Sequence, residues 1–96
     1  MRSYEMMMIL RSTLDETAIE GVLEKISAII TSRNGEIAKV EKWGKRRLAY
    51  EVNENTDGFY VVMDFKAGND ATTEVDRVLK ITDEVVRFLL VRKEEE

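Results

Sequence analysis

Residues 13–35 read TLDETAIEGVLEKISAIITSRNG, and this stretch decides the fold class. Ile19, Val22, Leu23, Ile26 and Ile30 recur at the spacing that gathers apolar side chains on one side of a helix. Glu20, Glu24 and Lys25 take the other sides. Thr13-Leu14-Asp15-Glu16 matches a capping box, in which the Thr13 hydroxyl accepts from the Glu16 N–H and the Glu16 carboxylate reaches back to Thr13. Asn34-Gly35 supplies residues that tolerate a left-handed cap at the far end.

On the N-terminal side, residues 2–11 alternate Tyr4, Met6, Met8 and Leu10 with Glu5, Met7, Ile9 and Arg11. Period two with apolar residues on both sides predicts a central strand. On the C-terminal side, residues 36–52 hold two strand-like runs joined by Gly44, either one long kinked strand or two short ones. Asn53 to Gly58 is a turn cluster, and its Asp57-Gly58 fits the hairpin turn. Phe59, Val61, Met63 and Phe65 then alternate with Tyr60, Val62 and Asp64 in the next strand. Asn69-Asp70 starts a short helix that ends near Ile81, with Val75, Val78 and Leu79 inward. A last strand runs from Val85 to Arg92.

The order β-α-β-β-α-β predicts an α+β, ferredoxin-like domain over residues 1–93, a four-stranded antiparallel sheet with both helices on one face. Residues 94–96 are expected to form an acidic flexible tail. Met7, Ile9, Tyr60, Val62, Leu89 and Val91 would line the uncovered face, and so apolar a face is expected to meet a partner.

Composition narrows the chemistry. The chain has 96 residues and a net charge of −4, with no cysteine, histidine or proline. Nitrogen- and sulfur-ligated zinc sites, disulfides, thiol chemistry and histidine-based triads are therefore excluded. The apolar run Met6–Leu10, between Glu5 and Arg11, is too short for a signal-peptide core or a membrane span, so the expected setting is the cytoplasm. Ser3, Ser12, Ser27 and Ser32 have no adjacent base, and the glycines are scattered singly rather than forming a phosphate loop. An acylphosphatase-like anion cradle would need glycines and an arginine where Ser12-Thr13-Leu14 stand. No enzyme activity, cofactor, metal or small-molecule ligand is expected.

Charge is unevenly spread. Lys39, Lys42, Lys45, Arg46 and Arg47 face the single anion Glu41, whereas Glu94, Glu95 and Glu96 close the chain. Lys42-Trp43-Gly44-Lys45-Arg46-Arg47 joins forked and point cations to an aromatic that can stack on a base, the chemistry of nucleic-acid binding. The competing reading is a solvated bend with Trp43 capping the core edge. Asp57 to Asp64, DGFYVVMD, partly matches the aromatic octet of RNA-recognition domains. Alternation turns Phe59 toward the helices, so a core strand is the better reading.

Gly44-Lys45-Arg46-Arg47-Leu48-Ala49-Tyr50-Glu51-Val52-Asn53 resembles the signature of the bacterial small-subunit ribosomal protein six family. Met1-Arg2-Ser3-Tyr4-Glu5, Trp43, Asp57-Gly58 and Asp76-Arg77 extend the resemblance over essentially the whole chain. It implies a non-catalytic constituent of the small ribosomal subunit that binds the central domain of small-subunit ribosomal RNA together with ribosomal protein eighteen. Carried over by position, it implies that Arg2, Tyr4, Arg46, Arg47, Tyr50 and Arg87 face RNA or partner, with Lys45 and Arg92 as lesser contributors and Leu48 in the core. Arg2 and Arg87, on strands expected to be neighbours, would bring two cations together. Ser12 stands where a proline is common in that family, and Ser3 where a basic residue is frequent. Two alternatives share the topology: an ACT-like regulatory or dimerisation module, and an engineered variant of the scaffold without function. The first would need a glycine-containing loop near the first helix, and none lies between Ile9 and Glu20.

Overall fold

Alternation builds the first strand as expected. In a computed structural model of the protein, which describes residues 1–52 and 55–93 except for the side chains of 48–52, 55 and 56, β1 spans Arg2–Arg11. It is followed by α1 (Glu16–Ser32), β2 (Glu36–Val52), β3 (Asn55–Ala67), α2 (Asn69–Ile81) and β4 (Val85–Arg92). The strands form one antiparallel sheet in the order β2-β3-β1-β4, the ferredoxin-like arrangement. Residues 53, 54 and 94–96 lie outside the described residues, the expected acidic tail among them.

Both helices cover one face. Ile19, Val22, Leu23, Ile26 and Ile30 of α1 are buried, as their spacing predicted, together with Val75 and Leu79 of α2. They close over Met6, Met8, Leu10, Val61, Met63 and Phe65, all nearly or fully excluded from solvent. Phe59 and Val78 pack against the same core.

The start of α1 differs from the capping-box reading. Asp15, not Thr13, is the cap: its Oδ1 accepts from the Ala18 N–H at 2.8 Å. A carboxylate there also meets the positive end of the helix dipole, which a hydroxyl does not. The later start places Leu14 one residue before the cap and Ile19 four residues into the helix. These are the positions of a hydrophobic staple, and Leu14 packs on the core. At the other end Asn34 takes the left-handed conformation, with φ 65°. Gly35 serves a different need, because a Cβ there would lie 2.6 Å from Ile30 Cγ2 and 2.8 Å from the Lys66 carbonyl oxygen.

Residues 36–52 form one long strand, with register shifts between Ile37 and Lys39 and between Lys42 and Gly44. Asp57-Gly58 is not the hairpin turn. Asp57 pairs with Arg47, and Gly58 pairs with Arg46 on one side and Arg11 on the other. Val52 and Asn55 already pair with each other, so Asp57 and Gly58 lie within β3. Ladder pairing on both sides of Gly58 outweighs the local turn preference of an Asp-Gly pair.

Candidate nucleic-acid and partner interface

The second register shift sets the chemistry of the open face. In an unbroken strand Trp43 would share a side with Lys45 and Arg47, and Arg46 would point the other way. Trp43 is the extra residue between Lys42, opposite Val61, and Gly44, opposite Tyr60. Gly44 absorbs the irregularity with φ 86°, a conformation that strains any side chain with a Cβ. Beyond it the parity is switched. Arg46 comes onto the face away from the helices, while Lys45 and Arg47 go to the helix side.

Arg46 and Trp43 consequently meet, the guanidinium carbon lying 5.3 Å from the ring centroid. The indole N–H donates to Glu41 Oε2 at 2.9 Å, and Glu41 is ion-paired with Lys39. Hydrogen bonding from Lys39, then from Trp43, holds the Glu41 carboxyl below the ordinary range, and the same pair raises Lys39. Trp43 remains 43% exposed and is not among the residues packed on the core, so it does not cap the core edge.

Register orders the rest of this face into rows. Glu41, Val62, Met7 and Leu89 lie side by side, then Gly44, Tyr60, Ile9 and Arg87, then Arg46, Gly58 and Arg11. An apolar centre thus leads into an end carrying Arg11, Arg46 and Arg87. At the opposite end Asp64 and Glu5 share a row; Asp64 Oδ2 pairs with Lys93 at 3.1 Å, and its Oδ1 is buried without a hydrogen bond among the described residues.

The candidate residues therefore fall into separate groups. Arg46 and Arg87 share the open face with Arg11. Lys45 and Arg47 lie on the helix side, where Lys45, Leu14, Ile19 and Phe59 line a cleft of about 290 Å³. Arg2, Tyr4 and Arg92 are also on the helix side but at the other end of β1, around a hollow of about 400 Å³. There the Tyr4 ring stacks on Phe65 with centroids 5.6 Å apart. The side chains of Tyr50 and Leu48 lie outside the described residues.

The expected closeness of Arg2 and Arg87 is incorrect. Arg87 pairs with Ile9, seven residues along β1 from Arg2, which at ~3.4 Å per residue is about 24 Å. They also lie on opposite faces. The cation that neighbours Arg87 is Arg11, which was absent from the candidates although its alternation with Met7 and Ile9 was readable.

Residues 3–92 match the ribosomal protein S6 family. The chain belongs to that family. Small ribosomal subunit protein bS6 of Heliobacterium modesticaldum is 44% identical over 96 residues, the whole of both chains. Its counterpart in Symbiobacterium thermophilum is 48% identical over 95 residues, 99% of this chain and 100% of that one. The crystal structure of 30S ribosomal protein S6 from Thermotoga maritima superposes with a TM-score of 0.89 at 32% identity, covering 96% of this chain and 87% of that chain. Ribosomal protein S6 membership makes the chain a structural, non-enzymatic protein and displaces the regulatory-module alternative. Among the described residues no helix is long and apolar enough to cross a membrane, and no group of three acidic, histidine or cysteine side chains is placed to hold a metal.

Proposed function

We propose that this chain is a structural constituent of the small ribosomal subunit in the cytoplasm, binding the central domain of small-subunit ribosomal RNA together with ribosomal protein eighteen. The observation that carries the reading is the composition of the open sheet face. Leu89 and Val91 are 60% and 45% exposed beside half-buried Met7, Ile9 and Tyr60, an apolar band that suits a protein partner. The band runs into Arg11, Arg46 and Arg87, whose forked guanidinium groups suit phosphate oxygens. Partner and RNA would then meet the sheet side by side, the phosphates fixing register and the paired protein adding specificity. Arg2, Tyr4 and Arg92 offer a second cationic contact around the far end of β1, and Lys45, Arg47 and Tyr50 extend the basic segment along β2.

The test is binding to a central-domain RNA fragment, with and without ribosomal protein eighteen, at two salt concentrations. Tight, salt-sensitive binding that needs the partner is expected. Arg46→Ala should reduce the slope of log affinity against log salt by about one phosphate contact, roughly 0.7–0.9. An unchanged slope removes Arg46 from the RNA, and absence of binding under every condition overturns the reading.

A further inference from the structure

The only tryptophan of the chain stands on the open face with its ring nitrogen fixed, its orientation set, and nothing of the core beneath it. Three features of its surroundings bear on what the ring can do. Glu41 holds the indole N–H at 2.9 Å, which fixes the ring about the one polar atom it has. Lys39 pairs with Glu41, so an acceptor is presented to the indole without leaving an unbalanced anion beside a surface rich in cations. Gly44 presents no side chain on this face: apart from its chain neighbours nothing lies within 4 Å of where its Cβ would stand, and the residue across from it is Tyr60. A flat indole, a bare glycine, a second aromatic and a guanidinium together make a stacking site next to a phosphate contact.

We propose that Trp43 is a stacking platform for an unpaired nucleobase of RNA whose adjoining phosphate is held by Arg46, and that Glu41, backed by Lys39, is the positioning residue that sets its plane. The proposal rests on the RNA-binding reading above and adds to it the contact that an electrostatic interface lacks. Phosphates give no information on where a strand is unpaired, whereas a base on an indole requires an unstacked nucleotide. Charge complementarity selects RNA over an apolar protein segment, because the Arg46 guanidinium lies against the ring and Arg11 and Arg87 share its face.

The experiment forms the assembly of this chain with ribosomal protein eighteen and titrates it with the central-domain RNA fragment. Affinity is read from the anisotropy of end-labelled RNA, and the indole from the fluorine resonance of 5-fluorotryptophan incorporated into this chain alone. Trp43→Leu should weaken RNA binding by about 5- to 150-fold. Trp43→Phe should retain most of the affinity, since a ring remains. Glu41→Ala should weaken binding less and broaden the fluorine signal, and Glu41→Gln, whose amide oxygen still accepts from the indole, should restore both. The resonance should move when RNA is added. Normal affinity of Trp43→Leu overturns the proposal while leaving the RNA reading standing. A resonance that moves with the protein partner and not further with RNA overturns it too, and assigns the ring to the partner. Failure of the unaltered chain to bind RNA at all defeats the underlying reading and the platform together. Thermal unfolding of each variant controls for misfolding, which the exposed position of Trp43 makes a minor concern.

Discussion

Both sides of β1 carry apolar side chains, and these have opposite fates. Met6, Met8 and Leu10 are 0% exposed, whereas their chain neighbours Met7 and Ile9 remain half-open to solvent. β4 repeats the contrast, with Phe88 and Leu90 packed on the core and Leu89 and Val91 exposed. Hydrophobicity alone therefore does not decide burial here; the helix layer does, and it covers one face. The free apolar face is the cost of an unsatisfied surface that a partner can remove.

The sharpest way to break this comparison is to truncate one large side chain on each face. Phe65→Ala empties a site 1% exposed between the sheet and the helices and should cost about 3–5 kcal/mol by denaturant unfolding. Leu89→Ala should change stability by less than about 0.5 kcal/mol yet weaken assembly with ribosomal protein eighteen and RNA. Equal losses of stability would mean that the open face is part of the core.

A smaller effect separates the two candidates for starting the helix that provides the cover. Asp15→Ala removes the bond to the Ala18 N–H and should cost about 1 kcal/mol, while Thr13→Ala should cost almost nothing. The reverse order would restore the capping-box reading. Either way the measurement reports on α1, because Ile19 and the buried residues behind it follow directly from that cap.

The fold was legible because its elements obey two periods. Alternation marked β1 and β4 to the residue, and helical spacing marked the buried side of α1 and α2. What was illegible depends on non-local pairing. Asp57-Gly58 carries a turn signal, but its partners Arg47, Arg46 and Arg11 are distant in sequence, and pairing with them holds it in a strand. The register shift at Trp43 likewise leaves only a glycine as its trace, yet it decides which of Lys45, Arg46 and Arg47 share a face with the indole. Reading cations as one basic segment could not separate them. Arg2 and Arg87 were misjudged for a related reason: neighbouring strands do not bring two residues together unless register and parity agree.

The smallest predicted effect asks whether charge helps hold the covering layer. Glu74 in α2 accepts from Arg77 through both oxygens, at 2.6 and 2.9 Å, and its Oε2 lies 3.8 Å from Arg33, the residue that caps α1. The carboxylate thus links the two helices on their outer side. Hydrogen bonding from Arg77 lowers its proton affinity most; burial opposes that, and the charges of Arg77 and Arg33 lower it further. A carboxyl depressed in the folded state binds its proton more readily when unfolded, near the ordinary glutamate value of about 4.3. Its stabilisation is therefore present in full above that value and lost as pH falls through the lower folded value. Glu74→Gln should melt slightly below the unaltered chain at pH 7, and the gap should close as the pH falls through the depressed folded range of the carboxyl. Glu41 titrates with the same sign on the open face, where it holds an indole rather than a helix, so Glu41→Gln should show a slight gap of the same sign that likewise closes in acid. A Glu74→Gln gap that persists in acid would show that its shape and packing, not its charge, join the helices.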